Sequence, residues 1–100
     1  MNLLIQNNLF QIKQIFLKHR VIRAYIFGSV CTDKFNDKSD IDFIIAFDQR
    51  YFDGYVENYF ELEDELRNLL NRNVDLVTEE TIQNPYFKIV VNKTKTPIYE

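Results

Sequence analysis

Ala24-Tyr25-Ile26-Phe27-Gly28-Ser29, followed after ten intervening residues by Asp40-Ile41-Asp42-Phe43-Ile44-Ile45-Ala46-Phe47, is the stretch whose reading decides the fold. The segment Val21 to Phe27 is β-branched and aromatic and reads as a strand, with Gly28-Ser29 as the punctuation at its end. Ile41 to Phe47 reads as a second strand, apolar on both faces once past Asp42. A strand of that kind is covered on both sides, so helices should flank the sheet. Between the two, Thr32 to Ser39 is polar and turn-prone, and Val30-Cys31 can form one short helical turn.

Upstream, Ile5, Leu9, Ile12 and Phe16 fall at steps of four, three and four, which predicts one helix ending near His19-Arg20. Downstream, Tyr55, Tyr59, Leu62, Leu66 and Leu69 mark a long amphipathic helix, with Glu57, Glu61, Asp64 and Glu65 mostly on its wet side. Val74 to Val77 is a short third strand. Asn84-Pro85 has the form of an N-cap followed by proline in the first helical position, and predicts a helix over about Tyr86 to Asn92. Ile89-Val90-Val91 within it also suits a strand. Pro97-Ile98-Tyr99 closes the chain as an edge strand. The fold class expected is α/β, an α+β sandwich in which a small mixed sheet is flanked by helices.

One hundred residues are too few for two independent cores, so a single domain over 1–100 is expected. Apolar residues make up 46% of the chain, enough for a packed core, and only two glycines and two prolines argue against disorder. The net charge of −3 argues against a nucleic-acid polymer as the main partner, because phosphate contacts demand clustered Lys and Arg. Cys31 is the sole cysteine, which excludes an intrachain disulfide and a cysteine-rich zinc site. No apolar run approaches the roughly 18 residues of a membrane span. The start, Met1 to Asn8, lacks the pattern of a signal peptide, so a cytoplasmic location with no membrane association is expected.

The chemistry is carried by few residues. Side chains two apart in a strand share a face, so Asp40 and Asp42 present their carboxylates side by side. Clustered carboxylates repel unless a cation sits between them. Oxygen ligands with few protein donors suit Mg²⁺, which keeps waters and takes other ligands from substrate phosphates. Gly28-Ser29 complements them: a glycine after a strand lets backbone approach a phosphate, successive N–H groups form an anion nest, and the Ser29 hydroxyl adds a donor. Asp75 lies between the inward-facing Val74 and Leu76 and so faces the other side, where it can join the first two carboxylates. Three such groups suit two-metal phosphoryl or nucleotidyl transfer, one of them taking the acceptor proton. Each element alone is commonplace as a turn, a cap or a strand-edge carboxylate; the combination in this order is not.

Gly-Ser, ten residues and Asp-x-Asp together resemble the signature of the DNA polymerase β-like nucleotidyltransferase superfamily. The short length resembles its minimal nucleotidyltransferase (MNT) branch, the antitoxin half of HEPN/MNT toxin–antitoxin pairs. The likeness runs through Ala24 to Ser29, Ser39 to Phe43, Val74 to Thr78 and the final Pro97-Ile98-Tyr99-Glu100. It implies the polymerase β-like fold, Gly28 and Ser29 as contacts to a nucleoside triphosphate, and Asp40, Asp42 and Asp75 as catalytic carboxylates and ligands of two Mg²⁺ ions. Asp75 is then the group that activates the acceptor. It further implies transfer of AMP from ATP to a tyrosine of a HEPN ribonuclease toxin, the partner that this antitoxin silences. Where many relatives carry a small-Arg-Gly segment after Gly-Ser, this chain has Val30-Cys31-Thr32-Asp33, so Lys34, Lys38 or Arg23 is expected to replace the arginine at the phosphates.

Two other functions stay open at this level. One is a non-catalytic antitoxin that neutralises its toxin by complex formation; the other is a nucleotidyltransferase acting on a small molecule or an RNA end. Whether the chain forms a homo-oligomer is also open. Of the remaining candidates, His19 at a helix end is expected on the surface or in a cap, and Cys31 as a small, partly buried thiol. Tyr55, Tyr59 and Phe60 are expected in core and rim packing, and the run Glu61 to Glu65 on a solvated helix face.

Overall fold

The computed structural model describes residues 2–49 and 52–100. The expected single N-terminal helix is two: α1 (Leu3–Asn7) and α2 (Leu9–Lys18). The break lies at Asn8, whose side-chain amide donates to Leu4 O at 2.8 Å while its backbone leaves helical geometry at φ −115° and ψ 10°. Asparagine offers the backbone such a local alternative to the helical ladder. The apolar stripe survives the break, for Ile5, Ile12 and Phe16 are all wholly buried.

β1 (Val21–Phe27) and β2 (Ile41–Phe47) form over the residues that the sequence marks. A short 3₁₀ turn, Gly28–Cys31, follows β1 where one helical turn was expected. α3 spans Tyr55–Leu70 and buries Leu62, Leu66 and Leu70, with Leu69 only partly covered. Its ends are set by left-handed residues, Gly54 at φ 79° and Asn71 at φ 53°. β3 is Val74–Thr78. α4 (Pro85–Thr94) is a helix despite its β-branched run, because Asn84 Oδ1 accepts from the backbone N–H groups of Tyr86 and Phe87 ahead of the pre-set φ of Pro85. β4 is Thr96–Tyr99.

The strands form one sheet in the order β3-β2-β1-β4. β1 is antiparallel to both β2 and β4, whereas β2 and β3 run parallel. The sheet is therefore mixed, with the chain's last strand on an edge as expected. One face packs α1, α2 and α3 around Ala24, Ile26, Phe43, Ile45, Val74 and Leu76. The other face carries Phe27 and Ile44, over which α4 places Val91 and Phe87, the last edge-on to Phe27 at 5.7 Å between ring centres. Both faces of β2 are thus covered, as its unbroken apolar run requires. Asp42 and Asp75 lie on the α4 side of this sheet, beyond the end of the small apolar cluster.

His19 takes the capping role expected of it, but not at the surface. Its backbone caps α2, but its imidazole is buried, 2% exposed, between Asn58 and Glu65 of α3. Asn58 also donates to His19 O at 2.8 Å, which fixes the orientation of that amide. The cluster ties the end of α2 to α3, and Lys18 completes it with an ion pair to Glu65 at 2.9 Å.

Candidate active site

Gly28 stands at the end of β1 with φ +76°, a region that glycine enters freely and other residues avoid. A second constraint is independent of the first. A Cβ added at Gly28 would lie 2.6 Å from Asp42 Oδ2. The turn therefore favours glycine, and any side chain here would force the Asp42 carboxylate to shift.

Strand register assembles the rest. Phe27 pairs with Asp42 across the antiparallel β1–β2 ladder, so the Gly28 turn starts next to Asp42. Asp42 pairs with Asp75 across the parallel β2–β3 ladder, which puts the two carboxylates side by side on one face. Val74 and Leu76 are buried on the opposite face, as the alternation of the strand requires. Asp40 precedes β2 and is exposed, at the rim of a groove lined by Ser39, Arg72 and Asn73.

The electrostatics follow from this placement. The Asp42 carboxyl is pushed up from 3.8 to about 6, first by burial, then by the charge of Asp75, hydrogen bonding with Asp75 and the charge of Asp40. Among the described residues, no three Asp, Glu, His or Cys side chains are already drawn together as a closed metal cage. Asp42 and Asp75 are the close pair, and Asp40 adds its charge from the rim. This donor set fits a hard divalent cation that retains water and takes further oxygens from a substrate, since such a cation would offset the crowding that holds Asp42 toward its neutral form.

The turn itself differs from expectation in one respect. The Gly28 N–H is not free for a phosphate, because it donates to Thr94 Oγ1 at 3.0 Å. Gly28 supplies space, and the Ser29 hydroxyl has no protein partner among the described residues. Arg23 is also misplaced for a phosphate contact. It sits toward the far end of β1, paired with Ala46, and its guanidinium forks onto Glu79 with both bonds at 2.8 Å. Lys34 and Lys38 remain on the exposed loop before Asp40. Cys31 is half-buried as expected, and burial pushes its thiol up, away from nucleophilic use.

Arg72 emerges only from the structure. Its guanidinium donates to Asn36 O at 2.7 Å and Ser39 O at 3.0 Å, and stacks over the Phe35 ring at 4.3 Å. It thereby holds the loop that delivers Asp40. No spacing in the sequence links residue 72 to that loop, so the contact had no signal to find.

The family model described as polymerase beta, nucleotidyltransferase matches residues 10–100. The chain belongs to that family. This nucleotidyltransferase is 40% identical over 86 residues to a protein of Methanocaldococcus jannaschii assigned as a protein adenylyltransferase, covering 78% of this chain and 85% of the relative. Its fold matches a solved structure described as a minimal nucleotidyltransferase, with TM-score 0.76, 24% identity and coverage of 97% and 96% of the two chains. It also matches a chain from a toxin–antitoxin structure with AMP-PNP, at TM-score 0.71 and 20% identity over 92% of this chain and 73% of the other. A third likeness is to a complex of tri-AMPylated Shewanella oneidensis HEPN toxin with MNT antitoxin, at TM-score 0.65 and 21% identity over 94% and 71% of the chains.

Proposed function

We propose that this nucleotidyltransferase moves AMP from Mg-ATP to a tyrosine hydroxyl of a HEPN toxin in the cytoplasm, and so acts as its antitoxin. The observation that carries the transfer chemistry is the register that places Asp75 beside Asp42, with the Gly28 turn at the same strand ends. The protein acceptor is supported by the adenylyltransferase relative at 40% identity. The partner is supported by the likeness to a chain from a complex that contains an AMPylated HEPN toxin.

In this reading Gly28 leaves room for the triphosphate to lie against the end of β1, and Ser29 donates its hydroxyl to a phosphate oxygen. Asp40, Asp42 and Asp75 are the residues that would hold Mg²⁺, by their carboxylate oxygens. Bound there, Mg²⁺ would supply charge neutralisation at the phosphates and would orient the reacting oxygens. Asp75, the more exposed of the registered pair, accepts the proton of the incoming hydroxyl. The acceptor oxygen bonds to the α-phosphorus, the bond from that phosphorus to the oxygen bridging the β-phosphate breaks, and pyrophosphate leaves.

A tyrosine hydroxyl titrates near pH 10, so a positioned base matters at neutral pH. Losing a general base typically slows a reaction by about 10²–10⁴. Asp75→Asn should therefore still engage the toxin but transfer AMP at that reduced rate. Mass spectrometry of toxin incubated with ATP, Mg²⁺ and each form of the enzyme reads this directly. A toxin that the parent chain inhibits without any gain in mass would sink the catalytic reading in favour of a stoichiometric binder.

A further inference from the structure

The bond from Gly28 N–H to Thr94 Oγ1 joins the end of β1 to the last turn of α4, and it does not stand alone. The Thr94 hydroxyl donates onward to Val90 O at 3.1 Å, within its own helix. Two residues later, Thr96 Oγ1 lies 3.7 Å from Cys31 Sγ and donates to Thr94 O at 3.2 Å. Thr96 is itself in the β4 ladder, paired with Ile26 of β1. The passage from α4 into β4 thus grips both ends of the Gly28–Cys31 turn, by a hydroxyl at each.

A hydroxyl is needed for this at position 94, since only a group that accepts and donates at once can satisfy Gly28 N–H and Val90 O together. Gly28 is also the residue that most needs an external restraint. Its φ of +76° lies where no side chain limits the backbone, and Ser29 follows it directly. A rotation of the Gly28 peptide would move Ser29, the next residue in the turn.

We propose that Thr94 is a positioning residue for nucleotide binding: it fixes the Gly28 peptide, and through it the Ser29 donor, and so makes the phosphate turn depend on the docking of α4. This rests on the reading of Gly28–Cys31 as the element that meets the triphosphate.

The test compares Thr94→Val, which keeps the shape and removes the hydroxyl, with Thr94→Ser, which keeps the hydroxyl. Mg-ATP affinity is measured by calorimetry, kcat and KM for ATP by steady-state assay, and exchange of the Gly28 amide by NMR in the free protein. One lost hydrogen bond translates to roughly a two- to tenfold change in affinity. Thr94→Val should weaken Mg-ATP binding and raise KM by about that factor with kcat less affected, and its Gly28 amide should exchange faster. Thr94→Ser should stay near the parent in every readout. Thr94→Val binding as tightly as the parent, or Thr94→Ser as weak as Thr94→Val, overturns the proposal alone. A parent protein that fails to bind Mg-ATP overturns the phosphate-turn reading and this proposal with it.

Discussion

Asp42 pairs with Asp75 on one side, faces Gly28 on the other and is half-buried, with its carboxyl held near 6 by burial and by its acidic neighbours. A carboxyl raised in this way is a liability to the metal-free fold above that pH, because the folded state then holds a charge that it disfavours. Asp42→Asn removes the charge and nearly preserves the shape. Its melting temperature in EDTA at pH 7.5 should equal or exceed that of the parent, while AMP transfer is abolished. A fall of several degrees would mean that Asp42 supports the fold through hydrogen bonds. The sheet face that Asp42 and Asp75 occupy was legible in the sequence because strand alternation alone fixes it, whereas Asp40, expected beside Asp42 on the strand, precedes β2 and stands at the rim. The register that makes Asp42 and Asp75 direct neighbours was not legible, since it depends on β2 and β3 being parallel and paired at those residues. Arg23 shows the opposite case: its charge invited a phosphate role, but the partner that claims it, Glu79, is 56 residues away. His19 caps α2 as expected, but the burial of its ring was not legible, because packing against a helix far along the chain leaves no local mark.

Elements formed where local patterns agreed and shifted where a single side chain intervened. β1 and β2 were legible to the residue, since their apolar runs end at Gly28 and begin after Asp40. The break between α1 and α2 was not, because the periodicity of Ile5, Ile12 and Phe16 continues through Asn8. The joint between α2 and α3 yields a pH prediction. Hydrogen bonds from His19 and then Lys18 hold the Glu65 carboxyl below the usual carboxylate range. A lowered folded value stabilises above the unfolded one, and that stabilisation is lost as pH falls through the folded value. Glu65→Gln should therefore be less stable than the parent at pH 7, with the gap narrowing below about pH 4, where unfolded carboxyls are protonated. Urea unfolding at pH 7 and pH 3 measures it; an equal gap at both would refute the linkage. The loop before β2 has its own anchor in Arg72, whose side chain is only 17% exposed. Hydrogen bonds from a charged group to well-ordered acceptors each contribute about 1.5–3 kcal/mol. Arg72→Met, which retains much of the stem, should destabilise the protein by about that amount and speed exchange of the amides around Asp40. A loss under about 0.5 kcal/mol would show that the loop is held by other means.

At the scale of the whole molecule, the site is a seam where the ends of β1, β2 and β3 meet the far end of α4, so ligand binding there reports on the entire sheet. The radius of gyration is 13.0 Å, the value expected of a compact chain of this length. No helix among the described residues is long and apolar enough to cross a membrane. Unfolding dismantles the register that pairs Asp42 with Asp75, so a ligand held by both binds only the native state. Such a ligand stabilises by RT ln(1 + [L]/Kd), which is about 2.7 kcal/mol at a hundredfold excess over Kd. For a chain of this size each kcal/mol raises the melting temperature by about 4–8 °C. Saturating Mg-ATP should therefore raise it by on the order of 10 °C or more. ATP with EDTA should give much less, because Asp40, Asp42 and Asp75 then face the triphosphate as bare negative charges. Mg²⁺ alone should give a smaller rise than Mg-ATP, since it lacks the phosphate oxygens that complete its shell. Asp42→Asn separates the terms: a shift with Mg-ATP that survives this substitution would place the nucleotide elsewhere on the molecule. Equal shifts with ATP in Mg²⁺ and in EDTA would instead show a nucleotide site that does not use the carboxylates, and the assignment of Asp40, Asp42 and Asp75 as metal ligands would fail.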